Sequence, residues 1–283
     1  MSQAAPISGS TYAHELLLEV SRAHPELLGA SISARPPKGS EAVLVASTDP
    51  KAPLEKSDAA DAAASASGAT ESAVSPSGDR LEVRLPLRDV SGDAIGTLHL
   101  SYGYHAGSDR AALEGRAAGV RDFLGRRISH AGNLLDPYPY EPDAPNEPDA
   151  PSHTYAQQLV EELLERHPEI EILAIHATPP DSDYNIIAGS NIGRLGKKAD
   201  NDDMRCVFTG KPNLEVNSTG KRFESEMQLR DRAGSVIGAV GVVFAYKQGD
   251  DQEALHARAE SIKAELEKKI PDSAALFRTA ATR

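Results

Sequence analysis

The hydrophobic positions of this chain follow two rhythms, and the same order of rhythms appears twice. Over residues 11–24, apolar side chains fall at Ala13, Leu16, Leu17, Val20 and Ala23, the three-and-four spacing of a helical stripe, closed by His24-Pro25. Ala156, Leu159, Val160, Leu163 and Leu164 form an equivalent stripe closed by His167-Pro168. Each stripe leads into a short apolar run, 27–34 and 170–177, that stops at a double proline and reads as a strand. A second short strand is expected over 41–46 and over 185–188. Two long alternating strands follow in each half, 80–87 with 94–102 and 222–229 with 235–245. Their connections, RDVSGD and RDRAGS, carry Asp, Ser and Gly where a tight hairpin requires them. A closing helix is expected over 109–128 and 251–270, the second with Leu255, Ala259, Ile262 and Leu266 on one face.

The recurrence is an internal repeat. TYAHELLLEVSRAHPELLGASISARPP (11–37) aligns with TYAQQLVEELLERHPEIEILAIHATPP (154–180), placing Tyr12 against Tyr155, 143 residues apart. GDRLEVRLPLRDVSGDAIGTLHLSYGY (78–104) aligns with GKRFESEMQLRDRAGSVIGAVGVVFAY (220–246), placing Gly78 against Gly220, 142 residues apart. A one-residue gap near 47–56 reconciles the two spacings. The chain therefore reads as two copies of one α+β domain, each an antiparallel sheet flanked by N- and C-terminal helices, over 1–135 and 154–283. Between them lies a Pro-rich acidic segment, 136–153, that reads as an extended semi-rigid spacer.

Composition supports two ordinary domains: 283 residues, 40% of them hydrophobic, divide into two units of roughly the usual domain size. The formal net charge of −12 excludes a phosphate-tracking surface, because no segment is basic; residues 1–135 carry 13 basic against 16 acidic residues and 154–283 carry 17 against 21. Nucleic acid is therefore not an expected partner. The single cysteine, Cys206, excludes an internal disulfide framework and a Cys-rich metal site, and reads as an apolar filler. No apolar run reaches the roughly 18 residues a membrane span needs. The opening MSQAAPISGS has neither the charged nor the apolar region of a signal peptide.

Candidate chemistry concentrates in 181–203, DSDYNIIAGSNIGRLGKKADNDD. A strand there opens into a Gly-punctuated loop carrying Ser190, Asn191, Arg194 and Lys197. Small hydrogen-bonding groups beside a planar guanidinium and a point ammonium charge suit a small anion. Arg194 and Lys197 read equally well as solvated loop charges. Tyr184 is either a wall of the site or a strand-edge aromatic, and Arg222 either reaches a ligand across the sheet or pairs with a cross-strand charge. Asp200, Asp202 and Asp203 read as an N-terminal cap, ahead of a cation site. His176 reads as a hydrogen-bonded core histidine ahead of a ligand.

Enzyme signatures fail. The stretch from Asp181 starts like a calcium loop but has Ile186 and Ile192 where Gly and Glu are required. Gly189-Ser190 is followed by Asn-Ile-Gly, so no nucleophile elbow is present, and no phosphate-binding or dinucleotide fingerprint occurs. The glycines of IGAVGVVFAY fall inside a strand and read as sites of close packing. The expectation is a non-catalytic protein with no metal and no cofactor.

The strand ending in Ser190, followed by Arg194-Leu195-Gly196-Lys197 and by the run from Leu229 to Gly238, resembles the Cache (PAS/PDC-like) sensor domains of bacterial receptors, above all the single-Cache, citrate-sensor type. The resemblance covers most of both copies and is specific in the second. In the first, STDPKAPLEKSD replaces the loop, with Lys51 opposite Arg194 and Pro53 in place of Gly196. The resemblance implies a pocket under the loop, on the sheet face, for a small carboxylate or amino-acid-like molecule, lined by Tyr184, Ser190, Asn191, Arg194, Lys197 and Arg222. The chain departs from that family in having no membrane helix, kinase or coiled-coil signalling segment, so the expectation is a stand-alone sensor-type protein that works with a separate membrane receptor or by self-association, in the periplasm or outside the cell, with the cytoplasm as the alternative. A duplicated scaffold serving only as a structural or interaction module is the competing expectation.

Overall fold

The computed structural model describes residues 11–37, 39, 41–50, 61, 64, 67–138 and 154–280. The opening decapeptide, the first-copy loop with Lys51 and Pro53, and spacer residues 139–153 lie outside these. The chain divides into two compact units, Met1–Tyr138 and Pro139–Arg283. In the first, α1 (Tyr12–Ala23) precedes β1 (Leu27–Ala34) and β2 (Val43–Ser47), then β3 (Glu71–Val74), β4 (Arg80–Arg88), β5 (Ala94–Gly103) and α2 (Arg110–Gly125). In the second, α3 (Tyr155–Arg166), β6 (Ile170–Ala177) and β7 (Ile186–Ser190) are followed by α4 (Asn201–Thr209), β8 (Asn213–Val216), β9 (Arg222–Arg230), β10 (Val236–Ala245) and α5 (Gln252–Glu267). Each unit ends in a short 3-10 turn, Ala131–Leu135 and Ser273–Phe277.

Each sheet has five antiparallel strands, in the orders β2-β1-β5-β4-β3 and β7-β6-β10-β9-β8. The helical stripes seal one face of each. In the second unit Leu159, Val160 and Leu163 of α3 and Ile262 and Leu266 of α5 meet Phe223, Leu229, Val240 and Val242 in a closed core. In the first unit Leu16, Leu17 and Val20 of α1 do the same with Leu81, Leu85, Leu98 and Leu100. The helices start where short hydroxyl side chains satisfy free backbone donors: Thr11 accepts from the His14 N–H at 3.3 Å, and Thr154 from the Gln157 N–H at 3.2 Å.

One glycine is required in each central strand. A Cβ at Gly238 would lie 1.8 Å from the His176 carbonyl oxygen, and one at Gly96 2.0 Å from that of Ser33, so the IGAVG glycine serves close packing. The edge strands β3 and β8 and the helix α4 were not expected as regular elements; they are short, and their apolar pattern is too brief to register. The spacer starts later than position 136. The Asp136 carbonyl accepts from the Tyr12 N–H at 2.9 Å and Tyr138 stacks on Tyr12 with ring centroids 5.9 Å apart, so 136–138 pack on the first unit.

Candidate functional site

The loop after β7 folds back along the edge of its own sheet. The Ile187 N–H donates to the Lys197 carbonyl at 2.9 Å, the Gly196 N–H to Ile187 at 3.0 Å, and the Ala199 N–H to Asn185 at 2.8 Å. Gly193, Arg194 and Gly196 all take positive φ, 69°, 61° and 86°. Glycine tolerates this region freely, whereas arginine bears a Cβ penalty of about 1–2 kcal/mol there, and such strain is held by the surrounding structure.

Two of the expected site residues have structural work in both copies. Asn191 accepts from the Leu173 N–H at 2.9 Å and donates to the Glu171 carbonyl at 2.9 Å. Thr48, its repeat partner, accepts from the Ala30 N–H at 2.9 Å and donates to the Ala30 carbonyl at 3.2 Å. Ser190 accepts from the Ile192 N–H at 3.2 Å, as Ser47 does from Asp49 at 3.1 Å. These side chains pin the exit of β2 and β7. Arg222 lies 3.3 Å from the Glu171 carboxylate, both side chains largely buried, which is the charge-partner reading. Tyr184 is 58% exposed, with the Lys198 ammonium 4.0 Å from its ring centroid. Arg194 and Lys197 are half-buried.

The sheet face opposite α3 and α5 carries the unusual chemistry. Cross-strand pairing sets Ile172, Val243 and Glu224 in one row, Ala174, Gly241 and Glu226 in the next, and His176, Ala239 and Gln228 in the third. The helix α4 covers the β9 side of this face: Cys206 is buried against it, and the Gln228 amide donates to the Val207 carbonyl at 2.7 Å. Over β6 the face stays open. Ile172 and Ala174 reach solvent although their strand is paired on both sides, and Gly241 contributes no side chain between them and β9. The strip of this face over Ala174, edged by Glu224, whose Oε1 lies 3.1 Å from where a Cβ of Gly241 would stand, is the candidate recess.

Its walls are ionisable. Glu224 is exposed; the protein packed around its stem, then the carboxylates of Asp203, Glu215 and Asp200, raise its pKa, while Lys197 opposes them. Glu226 is 5% exposed and its pKa is raised well above the carboxylate range, first by burial, then by its hydrogen bond to Asp203 and by neighbouring carboxylates, so it is protonated at neutral pH. Burial pushes Asp203 up, but the hydrogen bond from Glu226, then His176, the backbone N–H of Asp200 and Lys197, outweigh it and hold Asp203 below its ordinary value. Burial lowers the pKa of His176, with Asp203 opposing and Lys197 assisting. Lys197 thus faces this acidic group. The capping expectation is met as well: Asp200 accepts from the Asp202 and Asp203 N–H groups at 3.0 and 3.2 Å, and Asp203 from the Asp200 N–H at 2.7 Å.

Sequence reasoning missed Glu224, Glu226 and Gly241 as site residues. Nothing local marks them, since alternating acidic residues on a strand read as a solvated face.

No protein-family model matches the chain, and no curated protein matches it. Among solved structures, a targeted domain (129–302) of an IclR-family transcriptional regulator is 14% identical, covers 40% of this chain and 91% of that one, with a TM-score of 0.27. PelD from Pseudomonas aeruginosa PAO1, from residue 158 onward, is also 14% identical, covering 89% of this chain and 74% of that one, again with a TM-score of 0.27. At those scores neither likeness carries weight for fold or function.

Proposed function

We propose that this chain is a non-catalytic, sensor-type binding protein, built on two Cache/PAS-like domains, whose second domain captures a small amino-acid-like molecule. One observation carries the reading. Glu224 makes no hydrogen bond or ion pair among the described residues, whereas Glu82, at the same place in the first unit, is held by His99 at 2.9 Å and Ser101 at 3.1 Å. Gly241 stands where His99 would be, so the side chain that holds Glu82 has no counterpart beside Glu224, whose carboxylate is left for an external cation.

Lys197 supplies the complementary charge for the ligand's carboxylate. A simple anion fits less well than a zwitterion, because Asp203, Asp200 and Glu224 crowd the recess with negative charge. The anion expected from the loop alone is thereby narrowed to a molecule bearing both an ammonium and a carboxylate group. A domain of this type working with a separate receptor would act in the periplasm or outside the cell.

The test is a thermal-shift panel of amino acids, simple amines and di- and tricarboxylates on the full chain. An amino acid at about a hundred times its Kd should stabilise the second domain by about 2.7 kcal/mol. Glu224→Gln and Lys197→Ala should each abolish the response. A panel without any hit, or a hit on a carboxylate that survives both substitutions, overturns the reading. An interaction module is the second reading, favoured by Phe208, 79% exposed at the end of α4, and Leu214 on the edge strand β8. Self-association in light scattering that Phe208→Ser abolishes would support it.

A further inference from the structure

Three donor groups of different chemistry converge at the buried end of the recess: the His176 imidazole on β6, the Asp203 carboxylate in the first turn of α4, and the Glu226 carboxylate on β9. One ligating atom from each lies within 4.8 Å of the other two. The His176 Nδ1 is 3.5 Å from the Asp203 carboxylate, and it is buried with no hydrogen-bond partner, on a side chain only 9% exposed. A buried nitrogen without a partner normally costs about 1–3 kcal/mol and calls for an explanation.

The repeat sharpens the point. In the first unit the same three positions are Ser33, Asp61 and Arg84, and they satisfy one another: Ser33 donates to Asp61 at 2.7 Å and Arg84 to Asp61 at 3.1 Å. There a protein cation neutralises the aspartate. In the second unit arginine is replaced by glutamate and serine by histidine, so the position holds two carboxylates, an imidazole and no cation among these three. The aspartate is already oriented by the Asp200 N–H.

We infer that His176, Asp203 and Glu226 form a divalent transition-metal site, of the class that takes Zn2+, Co2+ or Mn2+, with the metal standing where the Arg84 guanidinium stands in the first unit. One imidazole nitrogen with two carboxylate oxygens suits the borderline ions Zn2+ and Co2+ and is accepted by the harder Mn2+, whereas Ca2+ and Mg2+ prefer oxygen alone. Tetrahedral donors at about 2.1 Å from a metal sit about 3.4 Å apart, so the three groups close by roughly an ångström, within reach of side-chain rotation. Binding releases the Glu226 proton to solvent, so that two carboxylates against one divalent ion leave a neutral site.

This inference goes beyond the amino-acid reading and does not need it. Glu224→Gln, which removes that response at a residue outside the three ligands, should retain one equivalent of bound metal.

The experiment titrates Zn2+ into the chelator-treated full chain by calorimetry, with Co2+ absorption as a spectroscopic check. One equivalent of Zn2+ should bind with micromolar affinity or better, and Co2+ should give visible bands of a protein-held ion. Glu226→Gln keeps the shape of the protonated acid, and the double variant His176→Ser/Glu226→Arg rebuilds the Ser33–Asp61–Arg84 arrangement. Both should melt cooperatively without metal and bind at least tenfold more weakly. Absence of saturable binding in the unsubstituted chain, undiminished binding in either variant, or equal binding of Ca2+ and Zn2+ would each overturn the site.

Discussion

The two units share strand order and sheet register, and among the described residues they differ in how charge is balanced on one face of the sheet. In the first unit that place is closed: Asp61 is held by Ser33 and Arg84, and Glu82 by His99 and Ser101. In the second unit the cations and the filler are gone. Burial and its hydrogen bond to Asp203 raise the pKa of Glu226, the His176 Nδ1 is buried without a hydrogen-bond partner, and Gly241 offers Glu224 no side chain in place of His99. A duplicated scaffold can spend one copy on stability and keep the other electrostatically unfinished, because a buried charge must find its counter-charge either in the protein or in a ligand. The closed copy shows what that face requires; the open copy shows what is missing.

Breaking the closed copy should have the largest effect. Arg84→Ala takes the guanidinium away from the Asp61 carboxylate, whose side chain is 8% exposed. A loss of about 3 kcal/mol is expected in the first unit, read by urea denaturation and localised to 80–103 by hydrogen exchange. Unchanged stability would mean that the first unit is not held closed by charge pairing.

Closing the open copy comes next. Gly241→His imports the His99 filler; the backbone at Gly241 is not left-handed, and an added Cβ would meet only the flexible end of Glu224, at 3.1 Å. The variant should fold, and the roughly 2.7 kcal/mol of stabilisation from a saturating amino acid should vanish from its melting curve. A retained response would show that the recess is not where the ligand sits.

A pH series sharpens the comparison further. The folded-state pKa of Glu226 is raised, so its stabilising contribution is complete below its unfolded value and is lost as pH rises through the folded one. Glu226→Gln keeps the donor to Asp203 and removes that titration. Its second unit should match the unsubstituted chain under mildly acidic conditions and exceed it by on the order of 1–2 kcal/mol at neutral to alkaline pH, measured by chemical denaturation across the series. Parallel pH profiles would contradict a buried, hydrogen-bonded pair. The smallest effect belongs to Tyr184→Ala, which removes an exposed ring and its contact with Lys198. It should cost less than about 0.5 kcal/mol and leave ligand binding unchanged in calorimetry.

The amino-acid order determined the repeat, the helical stripes, the long hairpins, the Thr caps and the Asp200 capping box. These rest on local spacing, since a helix face repeats every three to four residues, a strand every two, and a cap needs one oxygen within three residues of a free N–H. The loop from Gly189 to Lys197 was legible as a special segment for the same reason. Its cations drew attention to an anion, and Lys197 among them acts on the acidic groups of the sheet face. Those groups come from positions 176, 203, 224 and 226 on three elements, and their meeting depends on β10 entering the sheet between β6 and β9 and on α4 lying across that face. Strand register decides which side chains become neighbours across such distances in the chain. Charge balance is a property of that neighbourhood, so whether Glu226 stands opposite an arginine, a proton or a metal is a question only tertiary structure poses.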